Sequence, residues 1–264
     1  MGQLVTEMKT ERLAVSVRDV HKSYGGGGSS THVLRGVHLD IPSGQCIFLA
    51  GPSGSGKTTL LSILGCILRA DRGAVRLFDE DVGSLAERER VMFRSQRIGF
   101  VFQRFHLIRG LTALENVAVP LTLQRRSRRE THLRARQLLA DVGLGDLVHA
   151  HPSRLSTGQC QRVALARALV TNPDVILADE PTASLDEENG RSVMRLLRSL
   201  TTDLGKTAII VTHDPRIYRF ADRICHMEHG VVVDQPLQTE SIGGSPVETD
   251  PVGTDQDELS LSGT

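Results

Sequence analysis

The chain has no tryptophan, only two tyrosines and 3% aromatic residues among its 264. So little aromatic surface argues against a base-stacking platform for single-stranded nucleic acid. Its 31 basic and 31 acidic side chains cancel, so no overall basic field points to nucleic acid as a partner. Apolar runs are short, and no window reaches the roughly 20 residues needed to cross a bilayer. The first twelve residues are polar and lack the apolar core of an export signal, so the expected location is the cytosol. Cysteines are few and scattered: Cys46, Cys66, Cys160 and Cys225, with neither a C-x-x-C pair nor metal-ligand spacing. Buried free thiols are expected, with Cys160 partly exposed.

What the chain does have is Gly51-Pro52-Ser53-Gly54-Ser55-Gly56-Lys57-Thr58, a G-x-x-x-x-G-K-[ST] cradle. It follows an apolar strand at 46–50 and opens an apolar helix expected over 58–68, the context the motif requires. Small residues let the backbone N–H groups close on phosphate oxygens. Lys57 adds a point charge for the outer phosphates, and the Thr58 hydroxyl can ligate Mg²⁺. Thr59 continues the phosphate-facing helix start. A nucleoside triphosphate is therefore the expected ligand.

A second helix start follows at Ser156-Thr157-Gly158-Gln159, with Val163, Leu165, Ala166 and Leu169 at helical spacing behind it. Ser156 is suited to cap that helix. About twenty residues on, the apolar run 175–178 ends in Asp179-Glu180. A short apolar run after a turn reads as a buried parallel strand. An acidic pair at its carboxyl end stands where ligands collect in open α/β sheets, and Asp179 is the expected Mg²⁺ partner.

These motifs, in this order, resemble the ATP-binding cassette (ABC) ATPases, and the resemblance covers roughly residues 12–235. It implies an α/β fold: a P-loop NTPase core with an antiparallel β edge subdomain and an inserted α-helical subdomain. Residues 156–159 match the family's signature sequence, with Thr157 where the family usually has glycine. In that family the signature of one subunit closes over the ATP held by the other, which makes Ser156, Gly158 and Gln159 nucleotide-binding residues. Glu180 resembles the general base that polarises the attacking water. Gln103, after the apolar run 98–102, resembles the Q-loop glutamine that completes the Mg²⁺ shell. His213 resembles the switch histidine that contacts the γ-phosphate, and Ser184-Leu185-Asp186 the D-loop that runs across the dimer interface. Tyr24 resembles the aromatic that stacks on adenine.

Along the chain, residues 1–12 read as an extension, 13–236 as the cassette and 237–264 as a disordered acidic tail. The segment 13–20 alternates like an edge strand, and 74–78 reads as another strand. The helical subdomain is expected at about 105–169, where 113–123 and 130–142 are amphipathic. Residues 112–117, 97–103 and 177–182 resemble the branch of lipoprotein-release, macrolide-efflux and cell-division ATPases, and the stretch from 211–214 to 221–224 resembles the heterocyst glycolipid-exporter ATPase. The resemblance implies a homodimer, or a heterodimer with a similar ATPase, that sandwiches two ATP with Mg²⁺. It would drive a separate integral-membrane permease and sit on the inner face of the membrane through it. A periplasmic adaptor is a further candidate partner. The alternative is a soluble cassette ATPase in translation or DNA repair, though the chain has one cassette and no sustained heptads. A GTP switch lacks any guanine-reading Asn-Lys-x-Asp element.

Overall fold

A computed structural model describes residues 12–25 and 30–234. The extension at 1–11, the glycine run at 26–28 and the tail from 237 lie outside the described residues. Elements are numbered in chain order. The five residues of β3 (Cys46–Ala50) are all buried because both edges and both faces of the strand are covered. It lies between β8 (Thr207–Val211) and β9 (Arg223–Glu228), parallel to each, with Cys46 opposite Ala208 and Leu49 opposite Val211 and Cys225. The parallel set continues from β8 through β7 (Val175–Asp179) to β6 (Ile98–Val101). One edge is closed by β10 (Val231–Asp234), antiparallel to β9.

A second, antiparallel sheet has the order β2 (Thr31–Pro42), β1 (Leu13–Tyr24), β4 (Arg72–Leu77), β5 (Glu80–Asp81). Here one expectation is corrected: β1 is an interior strand, paired with both β2 and β4. Alternation reveals that a strand has an apolar face, but not how many neighbours it has. The strand expected at 74–78 runs from Arg72 and stops at Leu77, because Phe78 and Asp79 turn at φ 49° and 72°.

Side-chain alternation on the parallel strands divides the apolar interior in two. Cys46, Phe48, Ile176, Ala178, Ala208 and Ile210 face one core with α3 (Ala113–Leu123), α4 (Arg128–Asp141), α5 (Thr157–Leu169) and α6 (Glu187–Thr202). Ile47, Leu49, Val175, Leu177, Ile209 and Val211 face the other, with α1 (Lys57–Leu64) and the antiparallel sheet. Helix starts are locally specified: Thr112, Ser127, Ser156 and Asp186 each accept a backbone N–H three residues on.

The helix expected over 58–68 ends at Leu64. A Cβ on Gly65 would lie 1.9 Å from Phe100 Cζ, and Cys66 turns at φ 55°. Between β5 and β6 the chain forms α2 (Glu87–Arg97), whose buried Arg90 donates to the carbonyls of Cys66 and Leu68. Cys160, expected to be partly exposed, is 8% exposed and packed under the start of α5. Burial pushes its thiol up, and pushes that of Cys46 to about 12, so both are held protonated.

Candidate active site

The phosphate loop joins β3 to α1, and two glycines make its path possible. Gly51 has φ 140°, and a Cβ there would lie 2.1 Å from the Met227 carbonyl oxygen of β9. Gly56 has φ 103° and packs against Leu34, where a Cβ would come within 2.8 Å. Lys57 is 7% exposed, and its Nζ donates to the carbonyls of Gly51 at 2.8 Å and Pro52 at 2.7 Å. Burial lowers the Lys57 pKa, and the charges of Glu180 and Asp179 pull it back up. The first turn of α1 carries no acidic residue, so its N-terminal N–H groups and partial positive charge are free for an anion.

Facing this loop are the carboxyl ends of the parallel strands. Gly51, Pro52, Ser53, Gly54, Gly56, Lys57, Thr58 and Thr59 line one cleft of about 660 Å³ together with Gln103, Asp179, Glu180 and His213. Ser55 lies beneath the loop, 4% exposed and 3.4 Å from Lys57 Nζ. Thr58 Oγ1 donates to Asp179 Oδ1 at 3.3 Å. A hydroxyl and a carboxylate that converge beside a phosphate cradle, with the Gln103 amide in the same cleft, form an oxygen donor set. Such a set suits Mg²⁺ shared with a nucleotide rather than a zinc-type cluster. Among the described residues, no group of three His, Cys, Asp or Glu is placed to hold a metal unaided.

Glu180 follows β7 at φ 50°, a strained conformation for a residue with a Cβ, and its N–H donates to the Val211 carbonyl at 2.9 Å. His213 Nδ1 lies 2.6 Å from Glu180 Oε1. That pairing unites two residues 33 apart in the chain, which no local pattern could reveal.

The remaining nominated residues lie elsewhere. Tyr24 ends β1, 43% exposed and outside the cleft, with Lys22 Nζ 5.8 Å from its ring centre. Ser156, Gly158 and Gln159 do not line the cleft either. Ser156 Oγ accepts the Gln159 N–H, and the Gln159 side chain accepts the Ser156 N–H, in a capping box. Gly158 is buried against α6, where a Cβ would lie 2.8 Å from Asn189 Oδ1. Asn189 in turn holds Asp186 through its side-chain amide at 2.7 Å.

A family model described as ABC transporter matches residues 34–183, more than half of the chain. The chain belongs to the ABC transporter family. Among curated relatives, the macrolide export ATP-binding/permease protein MacB 1 of Escherichia coli O1:K1 is 42% identical over 231 residues. This chain spans 36% of that protein's length, while the match covers 88% of this chain. An uncharacterized ABC transporter ATP-binding protein of Methanocaldococcus jannaschii, MJ1508, is 43% identical, covering 83% of this chain and 98% of the relative. Among solved structures, the dimeric post-hydrolysis state of the cassette MJ0796 bound to ADP and Pi superposes with a TM-score of 0.79. It is 41% identical, covering 85% of this chain and 99% of that one. The architecture described above is thus that of the ABC ATPase cassette, and the macrolide and lipoprotein-release branch fits it.

Two consequences can be measured directly. Burial, more than any other influence, holds the Asp179 carboxyl above the usual carboxylate range, although Thr58 and Lys57 pull it down. The folded chain therefore binds that proton more tightly than the unfolded one. Stability from this group falls as pH rises from the ordinary carboxylate range through the raised folded value. At neutral pH, without nucleotide, Asp179→Asn is expected to raise the melting midpoint by roughly 2 °C. Calorimetry giving an unchanged or lower midpoint would mean that the carboxylate carries no such cost.

Thr157 is the first helical residue of α5, is exposed, and is not among the residues with positive φ. Nothing in its backbone requires glycine. Thr157→Gly is expected to keep the ATPase rate within about threefold, under 1 kcal/mol by the rate relation. A hundredfold rise would show that Thr157 cripples the natural signature.

Proposed function

We propose that this chain is the ATP-hydrolysing subunit of a membrane transporter, acting as a dimer with two ATP at its interface. The observation that carries the proposal is a separation within one chain. The phosphate loop, Gln103, Asp179, Glu180 and His213 share a cleft, while the signature residues 156–159 lie outside it. A second copy would bring its Ser156, Gly158 and Gln159 over the first copy's nucleotide. The dimeric state of MJ0796 with ADP and Pi supports this reading. Lys57 and the loop N–H groups would hold the β- and γ-phosphates. Thr58, Asp179 and Gln103 would hold Mg²⁺, which neutralises developing charge on the phosphates. Glu180 would take a proton from the attacking water, and His213 would orient Glu180 and face the γ-phosphate.

The proposed membrane partner is a permease, as the name of the MacB relative suggests. No helix among the described residues is long and apolar enough to cross a membrane. We assign its docking to the groove of about 690 Å³ between α2 and the end of α3. Val91, Met92 and Leu123 stand 45%, 59% and 76% exposed there, beside Arg88, Arg125 and Arg126. A permease segment carrying apolar and acidic residues matches that lining. A periplasmic adaptor would bind the permease rather than this chain. The relatives do not favour a soluble role in translation or DNA repair. With the chain as bait in detergent-solubilised membranes, an integral-membrane protein should co-purify. Met92→Asp with Leu123→Asp should lose it and retain basal ATPase. Co-purification unaffected by the double change would move the docking site elsewhere.

A further inference from the structure

Arg167 lies in the last turn of α5, the helix whose first turn carries the signature residues. Its guanidinium is half-buried, and among the described residues no carboxylate pairs with it; burial alone acts on its pKa, lowering it. Both arms of its fork donate to backbone carbonyls: Nη1 to His106 at 2.6 Å and Nη2 to Phe105 at 2.6 Å. Those residues follow Gln103 and turn at φ 58° and 47°, consecutive left-handed conformations that side chains with a Cβ rarely adopt. A half-buried charge with no carboxylate partner among the described residues thus holds a strained turn, and the planar fork suits two adjacent carbonyls as a single-point ammonium would not.

The same turn is tied to the phosphate-loop helix. The Phe102 ring lies 4.8 Å from that of His106 and stacks on Phe100 at 5.3 Å. Phe100 occupies the space that Gly65 leaves at the end of α1. One line of contacts therefore runs from the end of α1 through Phe100, Phe102 and His106 to Arg167 on α5, and Gln103 lies in the chain segment between Phe102 and His106.

We infer that Arg167 is a positioning residue for Gln103, making the place of that amide in the cleft depend on where α5 and its signature end sit. Such an arrangement lets closure of the signature on nucleotide be felt at Gln103 of the same chain. The inference rests on the reading of Gln103 given above, and a coupling claim of this kind is decided by measured non-additivity rather than by a line of contacts.

The test is a double-mutant cycle in the full-length protein with Gln103→Ala, Arg167→Ala and both together. Turnover, affinity for a fluorescent ATP analogue and melting midpoint are measured for each. Arg167→Ala is expected to lower kcat roughly tenfold, the scale of coupling through positioning groups. Nucleotide affinity should stay within about threefold, and the double variant should be no slower than the slower single one. Arg167→Lys, which keeps the charge but not the fork, should recover only a minor part of the loss, and it takes the place of alanine in the cycle if that variant does not fold. Impaired Gln103→Ala with multiplying losses, or with wild-type turnover in the Arg167 variant, would overturn this inference alone. Wild-type turnover in Gln103→Ala would remove the role of Gln103, and this inference with it.

Discussion

Glu180→Gln is expected to bind ATP normally and to hydrolyse it roughly 10²- to 10⁴-fold more slowly, the usual worth of a positioned base. The amide is isosteric, and the backbone at Glu180 is set by its N–H to the Val211 carbonyl, not by the side chain. A glutamine oxygen can still take the place of Oε1 beside His213 Nδ1, so the geometry of the pair survives. What disappears is the capacity to accept a proton from water. ATP should therefore accumulate unhydrolysed, and size-exclusion chromatography with ATP and Mg²⁺ should show a stable dimer. Turnover near the wild-type rate would assign the base to another group in the cleft.

Gly158→Asp is expected to abolish hydrolysis while leaving ATP binding by the isolated chain intact, because residue 158 does not line the nucleotide cleft. Two causes would act together, and they can be separated. A carboxylate at the signature would oppose a phosphate brought there by the second copy. Independently, any Cβ at 158 would meet Asn189 Oδ1 at 2.8 Å and Cγ at 2.9 Å, so the Asn189 side chain must move and loosen its hold on Asp186. Gly158→Ala carries only the second cause. Activity in that variant close to wild type would show that the charge is decisive. A loss as deep as that of the aspartate, relieved by Asn189→Gly, would show that packing is. Retained hydrolysis in Gly158→Asp would remove this residue from the signature role.

The parallel strands were legible because residues buried on both faces leave an unbroken apolar run, as at 46–50 and 175–178. The cradle was legible for a different reason: backbone approach to phosphate restricts residue type at fixed spacing. Helix α2 was hidden because most of its residues are charged and only Arg90 is buried, so no apolar stripe exists to read. Helix α6 offered a signal that could have been read, with Val193, Met194, Leu197 and Leu200 at helical spacing. Arg167 and Asn189 could not have been found that way. Their partners lie 62 and 27 positions distant, at Phe105 and Arg162, and only folding brings them within reach. The burial of Cys160 follows similarly from the turn at 152–155 closing over it.

The division of the interior by the central sheet has a consequence for how the molecule opens. Neighbouring residues of one strand, such as Phe48 and Leu49, belong to different cores. Amide hydrogens of β3 are bonded in the plane of the sheet to β8 and β9, so their exchange requires the sheet to open, whereas those of α4 need only the helical side to loosen. The sheet therefore acts as a bulkhead: the helical side can loosen without exposing the strand on which the phosphate loop is mounted.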